Sequence, residues 1–120
     1  MSRTRHYRDL IAWQKAMDLA RVVYRDTEQF PKSETFGLRM SMCRSAVHVA
    51  SYIAAAHGRL NDPEMKKGLG SARATLNELE TQTELAGSLQ LFPANAAEDI
   101  LERCSEVGRL INGLLGVLDP

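Results

Sequence analysis

The chain has 120 residues, 44% of them apolar and 25% charged, and a formal net charge of zero. That length suggests one domain, 1–120, able to bury roughly 65% of the surface its unfolded form exposes. No apolar run approaches the 18 or so residues of a membrane span, and two cysteines do not make a disulfide framework.

The opening "MSRTRHYRDL" lacks the apolar core of a signal peptide, so the expected location is cytoplasmic. Aromatic residues are few, so the interior must rest on Leu, Val, Ile, Met and Ala. Charge is unevenly placed. Residues 1–60 hold ten Lys/Arg against five Asp/Glu, and residues 61–120 hold five against ten. Such a split can build a basic binding face, or draw the two halves together within a chain or between subunits.

Three short breaks, each containing proline, divide the chain into four segments: "FPKS", "GRLNDP" and "LQLFPAN". Each segment carries apolar or small residues at alternating steps of three and four, the period of a helix rather than a strand. The first row is Leu10, Trp13, Met17, Ala20, Tyr24. The second is Phe36, Met40, Cys43, Val47, Ala50, Ala54. The third is Met65, Leu69, Ala72, Leu76, Leu79, Thr83, Ala86, and the fourth Ala97, Ile100, Cys104, Val107, Ile111, Leu114, Leu118. Asp62 before Pro63 and Glu64 reads as an N-cap, and Asn95 with Glu98 as a capping box. Ser33 or Thr35 would cap the second helix and Asp9 the first. The expected fold is all-α, an antiparallel up-down four-helix bundle with helices at roughly 9–28, 34–58, 63–88 and 95–118. Cys43 and Cys104 fall on apolar stripes and read as buried free thiols.

The stretch "HVASYIAAAHGR" (48–59) tests for a catalytic or metal site. His48 and His57 are nine residues apart, which at about 100° per residue puts them on opposite sides of one helix. They cannot ligate one metal, and no H-x-x-x-H or H-E-x-x-H pattern occurs. Neither a metal, a cofactor nor a catalytic group is expected. The second helix instead carries two further rows. Met42, Ala46, Val49, Ile53 and Ala56 widen its apolar arc. Gly37, Ser41, Arg44, His48, Ser51, Ala55 and Gly58 form a small-residue flank. A helix apolar or small on nearly every side wants burial nearly all round. Self-association is therefore expected, with Ser41, Val49, Tyr52, Ile53, Ala55 and Ala56 as candidate interface residues.

Four stretches in order are similar to the small bacterial four-helix-bundle family of 23S rRNA intervening-sequence (S23) proteins, over about residues 7–115. "LIAWQKAMDLA" resembles its helix-one motif. "FPKSETFGLRM" resembles its first connection. "RSAVHVASYIAAAHGR" lies where the family reads R-A-A-x-S-I-x-x-N-I-A-E-G-x-x-R, and "ARATLNELETQTELA" resembles its third helix. Arg44 and Arg59 match. Tyr52, Ala55 and Ala56 stand where the family has Asn, Glu and Gly, and Ser41 where it has Gln, so Arg59 lacks an i,i+4 acid at Ala55. The resemblance implies a homo-oligomer, with a pentameric ring as its form. It also implies association with rRNA intervening sequences and distant kinship with nucleic-acid-binding accessory proteins of diversity-generating retroelements. It implies no enzymatic activity.

Three functions follow as expectations. The first is a non-catalytic homo-oligomeric interaction protein. The second is an RNA-binding accessory protein whose contacts would be Arg5, Arg8, Arg39, Arg44 and Arg59, gathered by symmetry into a basic surface. The third, a helical ribonuclease of the HEPN type, is disfavoured: Arg44 and His48 are separated by three residues where that motif has four to six. A ligand in the bundle core has no polar constellation to orient it.

Overall fold

The third and fourth apolar rows lie inside the protein as spaced. From Met65 to Ala86 and from Ala97 to Ile111 every predicted position is buried, and Leu114 and Leu118 are half-buried. In the computed structural model, which describes residues 6–118, these rows belong to two of four helices. The helices are α1 (Ile11–Thr27), α2 (Leu38–His57), α3 (Asp62–Ser88) and α4 (Ala94–Gly116), with short 3-10 turns at Tyr7–Asp9 and Lys32–Glu34. There is no strand among the described residues.

Antiparallel packing follows from which residues meet. Thr27 near the end of α1 touches Cys43 early in α2, while Trp13 shares a groove with Ala54 late in α2. Gly68 of α3 meets Ala56, and Ser45 shares a groove with Gln82. Arg73 bonds Asn112 at 2.9 Å, and Gly87 lies against Ala97. Helices α1 and α3 each pack against α2 and α4, and the diagonal pairs make no close backbone contact. The result is a closed four-helix bundle measuring 46 × 23 × 22 Å.

In the first two helices only part of the expected row is buried: Leu10 and Ala20 in the first, Cys43 and Ala50 in the second. On α1 the interior takes Ala12, Ala16, Leu19 and Val23, while Trp13 and Met17 are half-buried and Tyr24 is exposed. On α2 the interior takes Met42, Ala46, Val49, Ile53 and Ala56, all 0% exposed. Phe36, Met40 and Val47 of the first row are exposed. Both helices carry more than one apolar row, and periodicity alone cannot rank two rows of equal spacing.

The caps also shift. Asn61, one residue before Asp62, is the N-cap of α3, its Oδ1 accepting the Glu64 N–H at 3.0 Å. Helix α4 begins after Pro93 with no side-chain cap, so Asn95 lies inside it. Neither Ser33 nor Thr35 caps α2. That helix starts at Leu38, whose N–H is taken by Glu34 Oε1 at 3.1 Å. Nor does Asp9 cap α1, whose N-cap is Leu10.

Two details fix the ends and the spacing. Phe30 and Phe92 stand before the prolines of two different connections and meet edge to face at 5.0 Å, closing one end of the bundle. A Cβ on Gly68 would lie 2.7 Å from the Ala56 Cβ, so glycine is what lets α2 and α3 approach this closely. The buried threonine hydroxyls donate within their own helices: Thr27 to the Val23 carbonyl and Thr83 to that of Leu79, each at 2.7 Å, and Thr75 to that of Ser71 at 2.9 Å.

Candidate interaction surface

With one row of α2 committed to the core, its other faces can be placed. Met40, Ser41, Arg44, Val47, His48, Ser51, Tyr52 and Ala55 are all exposed. At about 100° per residue they cover an arc of roughly 140°. Arg44 is the one formally charged residue on that arc, and α2 contains no Asp or Glu at all. His48 and Tyr52, one turn apart, bring their rings to 5.5 Å.

Of the expected interface residues, Ser41, Tyr52 and Ala55 lie on this outward arc. Val49, Ile53 and Ala56 do not. They are 0% exposed and packed inside the chain's own core, so no partner can reach them without unfolding the bundle. The two groups had looked alike because both are apolar or small and both lie near the same turns of α2.

A groove runs along each side of the arc. Between α2 and α3 it is polar, of 490 Å³, with Arg44 and Ser41 on one wall and Asn77, Glu78, Thr81 and Gln82 on the other. The Gln82 Oε1 is a buried side-chain oxygen with no hydrogen-bond partner among the described residues. Between α1 and α2 the groove is mainly apolar, of 330 Å³, lined by alanines and by Trp13, Met17 and Val47, with Tyr7 and Ser51.

The candidate nucleic-acid contacts do not gather into one patch within a chain. Arg5 lies outside the described residues. Arg8 stands before α1, its guanidinium 5.4 Å from the Tyr7 ring centre and its carbonyl held by Gln14 Nε2 at 2.8 Å. Arg39 is half-buried and donates from Nε to Thr27 Oγ1 at 3.3 Å. Arg44 is exposed, with Met40 Sδ at 3.7 Å from its Nη2. Arg59 is exposed beyond the end of α2, whereas Arg39 lies in its first turn, so most of the helix, roughly 27 Å at 1.5 Å per residue, separates them. Because α2 stops at His57, Arg59 is outside the helix, and an acid at position 55 would not face it as an ordinary helical i,i+4 pair. No carboxylate lies within 4.0 Å of Arg39, Arg44 or Arg59 among the described residues.

His48 is exposed and His57 half-buried, on different sides of α2. No cluster of three or more His, Cys, Asp or Glu able to hold a metal ion occurs among the described residues. Both cysteines are free and buried. Burial, aided by nearby Glu80, pushes the Cys104 thiol up to about 12, which leaves it protonated and unreactive near neutral pH. No described helix is long and apolar enough to cross a membrane.

The family model for the 23S rRNA-intervening sequence protein matches residues 8–113. No curated protein matches the chain significantly. Among solved structures, the chain is similar to a protein of unknown function from the S23 ribosomal protein family of Bacteroides thetaiotaomicron. Identity is 19% and the TM-score 0.78, over 88% of this chain and 98% of that one. At that identity the likeness speaks for the fold, while the family match spans the four helices from before α1 to late in α4. The chain therefore belongs to the 23S rRNA-intervening sequence protein family.

Proposed function

We propose that this chain is a non-catalytic, homo-oligomeric helical-bundle interaction protein of the cytoplasm, assembling as a pentameric ring, with the outward arc of α2 as its contact surface. The observation that carries the reading is the near absence of charge on that arc: a full helix face turned outward with Arg44 as its single formal charge. Faces meant for water are normally rich in Lys and Glu, and the cores of subunit interfaces are depleted of them. The mixture of small residues with Tyr52, Met40 and Val47 suits close approach of another backbone around a few larger anchors.

Light scattering on the parent protein and on Ala55→Glu tests this. The parent is expected to have several times the 13.3 kDa mass of one chain. Ala55→Glu would bury an unpaired carboxylate in the contact and weaken assembly by several kcal/mol. A parent that is monomeric at micromolar concentration sinks the reading, as does a mutant that assembles like its parent.

A second reading is an RNA-binding accessory role. It is favoured by the exposed Arg44 and Arg59, which have no acidic partner among the described residues, and by the association with ribosomal RNA in the family's name. Oligomerisation would repeat these arginines around the assembly. RNA added to the same light-scattering samples should then bind at low salt and be released steeply as salt rises. No binding at low salt removes this reading and leaves the first intact.

A further inference from the structure

We propose that the apolar groove between α1 and α2 receives the exposed Leu85–Leu89 ridge of α3 from a second copy of this chain. The proposal rests on the self-association reading and names the surface that meets α2.

The groove flanks the outward arc. Ala20, Ala50 and Ala54 line it between the larger Trp13, Met17 and Val47, Tyr7 and Ser51 complete the lining, and no charged side chain is among them. Val47 is 40% exposed at its edge. Short residues between larger ones leave a slot of 330 Å³, which water fills poorly and an aliphatic side chain fills well.

The matching protrusion is on the other half of the chain. Leu85 is 49% exposed and Leu89 56%, and four residues apart they stand side by side on α3 and its C-cap. Outside α1 and α2, the other large exposed apolar residues among those described are Phe36, just before α2 in the same half of the chain as the groove, and Leu60 and Val117, each alone. Lengths agree. Val47 to Ala54 spans roughly 10 Å and Leu85 to Leu89 roughly 6 Å at 1.5 Å per residue, so the slot holds both leucines.

Charge selects the pairing. The groove belongs to the half with ten Lys/Arg against five Asp/Glu, and the ridge to the half with the reverse. The halves that hold groove and ridge thus carry opposite formal balances, which favours groove on ridge over groove on groove or ridge on ridge. Each copy presents both surfaces, on different sides of the bundle, so each can give and receive.

The test is complementation. Val47→Glu spoils the groove and keeps the ridge, and Leu85→Glu/Leu89→Glu spoils the ridge and keeps the groove. All three positions are exposed, so the helical circular dichroism of both variants should match the parent. Each alone should scatter as a 13.3 kDa monomer. Mixed in equal amounts, they should give a species of two chains, because one intact groove and one intact ridge remain. Val47→Gln and Leu85→Ala/Leu89→Ala repeat the measurement without a new charge. A ridge variant that assembles like the parent overturns the proposal while leaving self-association standing. Two monomeric variants that stay monomeric when mixed also overturn it. A monomeric parent removes the self-association reading itself.

Discussion

Helices α2 and α4 are alike on their inner sides and opposite on their outer ones. Each contributes an unbroken row to the core: Met42, Ala46, Val49, Ile53 and Ala56 from α2, and Ile100, Cys104, Val107 and Ile111 from α4, all 0% exposed. Outside, α4 carries Glu98, Glu102 and Arg109 in the open, with Asp99, Arg103 and Glu106 half-buried beside them. Arg103 and Asp99 pair one turn apart at 3.1 Å. That is a face built for water. The outward arc of α2 has one arginine and no acid. Both helices obey the same folding constraint, so the difference outside is free to reflect what each face meets.

If the inner sides are equivalent, truncation should cost the same on both. Ile53→Ala on α2 and Ile100→Ala on α4 each remove a fully buried side chain. Each should destabilise the fold by about 2–5 kcal/mol, from the lost transfer energy plus the cavity left behind. Urea unfolding of the two variants measures this through the shift in midpoint. A mild effect at Ile53 with a large one at Ile100 would mean that α2 is rotated from the orientation described, and the comparison would break at its base.

A smaller effect isolates the buried row of α4. The Cys104 thiol is held up at about 12 against an ordinary 9.0, chiefly by burial and secondarily by Glu80. The folded form keeps its proton where the unfolded form has lost it. The contribution to stability is therefore complete below pH 9.0 and is lost as pH climbs toward about 12. The loss should be roughly 1.4 kcal/mol per pH unit in that window. Other groups titrate there too, so the measurement is the difference between the parent and Cys104→Ala across the alkaline range. The variant is less stable near neutrality but should lack this part of the slope. Parallel curves would mean that the thiol reaches solvent and that the α4 row is looser than described.

The same contrast governs what sequence could reveal. On α3 and α4 one apolar row stands among charged residues, so spacing identified the buried positions directly. On α2 the core row, the groove-side row with Cys43 and Ala50, and the small outward arc all repeat at helical spacing. Without charges to mark the outside, periodicity could not say which row is innermost. That is why Val49, Ile53 and Ala56 were grouped with Ser41, Tyr52 and Ala55. The caps moved because the N-cap side chains of α1, α2 and α4 make no capping hydrogen bond, while at α3 the neighbours Asn61 and Asp62 were both able to serve and backbone geometry selects Asn61. The meeting of Phe30 with Phe92 had a faint signal, the two Phe-Pro pairs in the first and third connections. The unsatisfied Gln82 oxygen had none, since its burial depends on how α3 packs beside α2. The grooves beside α2 are equally invisible to a one-dimensional pattern, because each needs residues from two helices.

The smallest effect is the sharpest test of the outer faces. Ser105 is exposed on α4 between Glu102 and Arg109. Ser105→Glu places a carboxylate four residues before Arg109, a favourable helical pairing, and three after Glu102, an unfavourable one. The two nearly cancel, and the change in stability should stay within about 0.5 kcal/mol. Its mass by light scattering should equal that of the parent, whereas the same new charge at Ala55 should disperse the assembly. Substituting glutamate at both sites asks one question of two helices, with the chemistry held constant and only the surroundings changed. If Ser105→Glu disperses the assembly as well, the charged face of α4 is a contact too, and sparse charge ceases to distinguish an interface from a wet surface in this bundle.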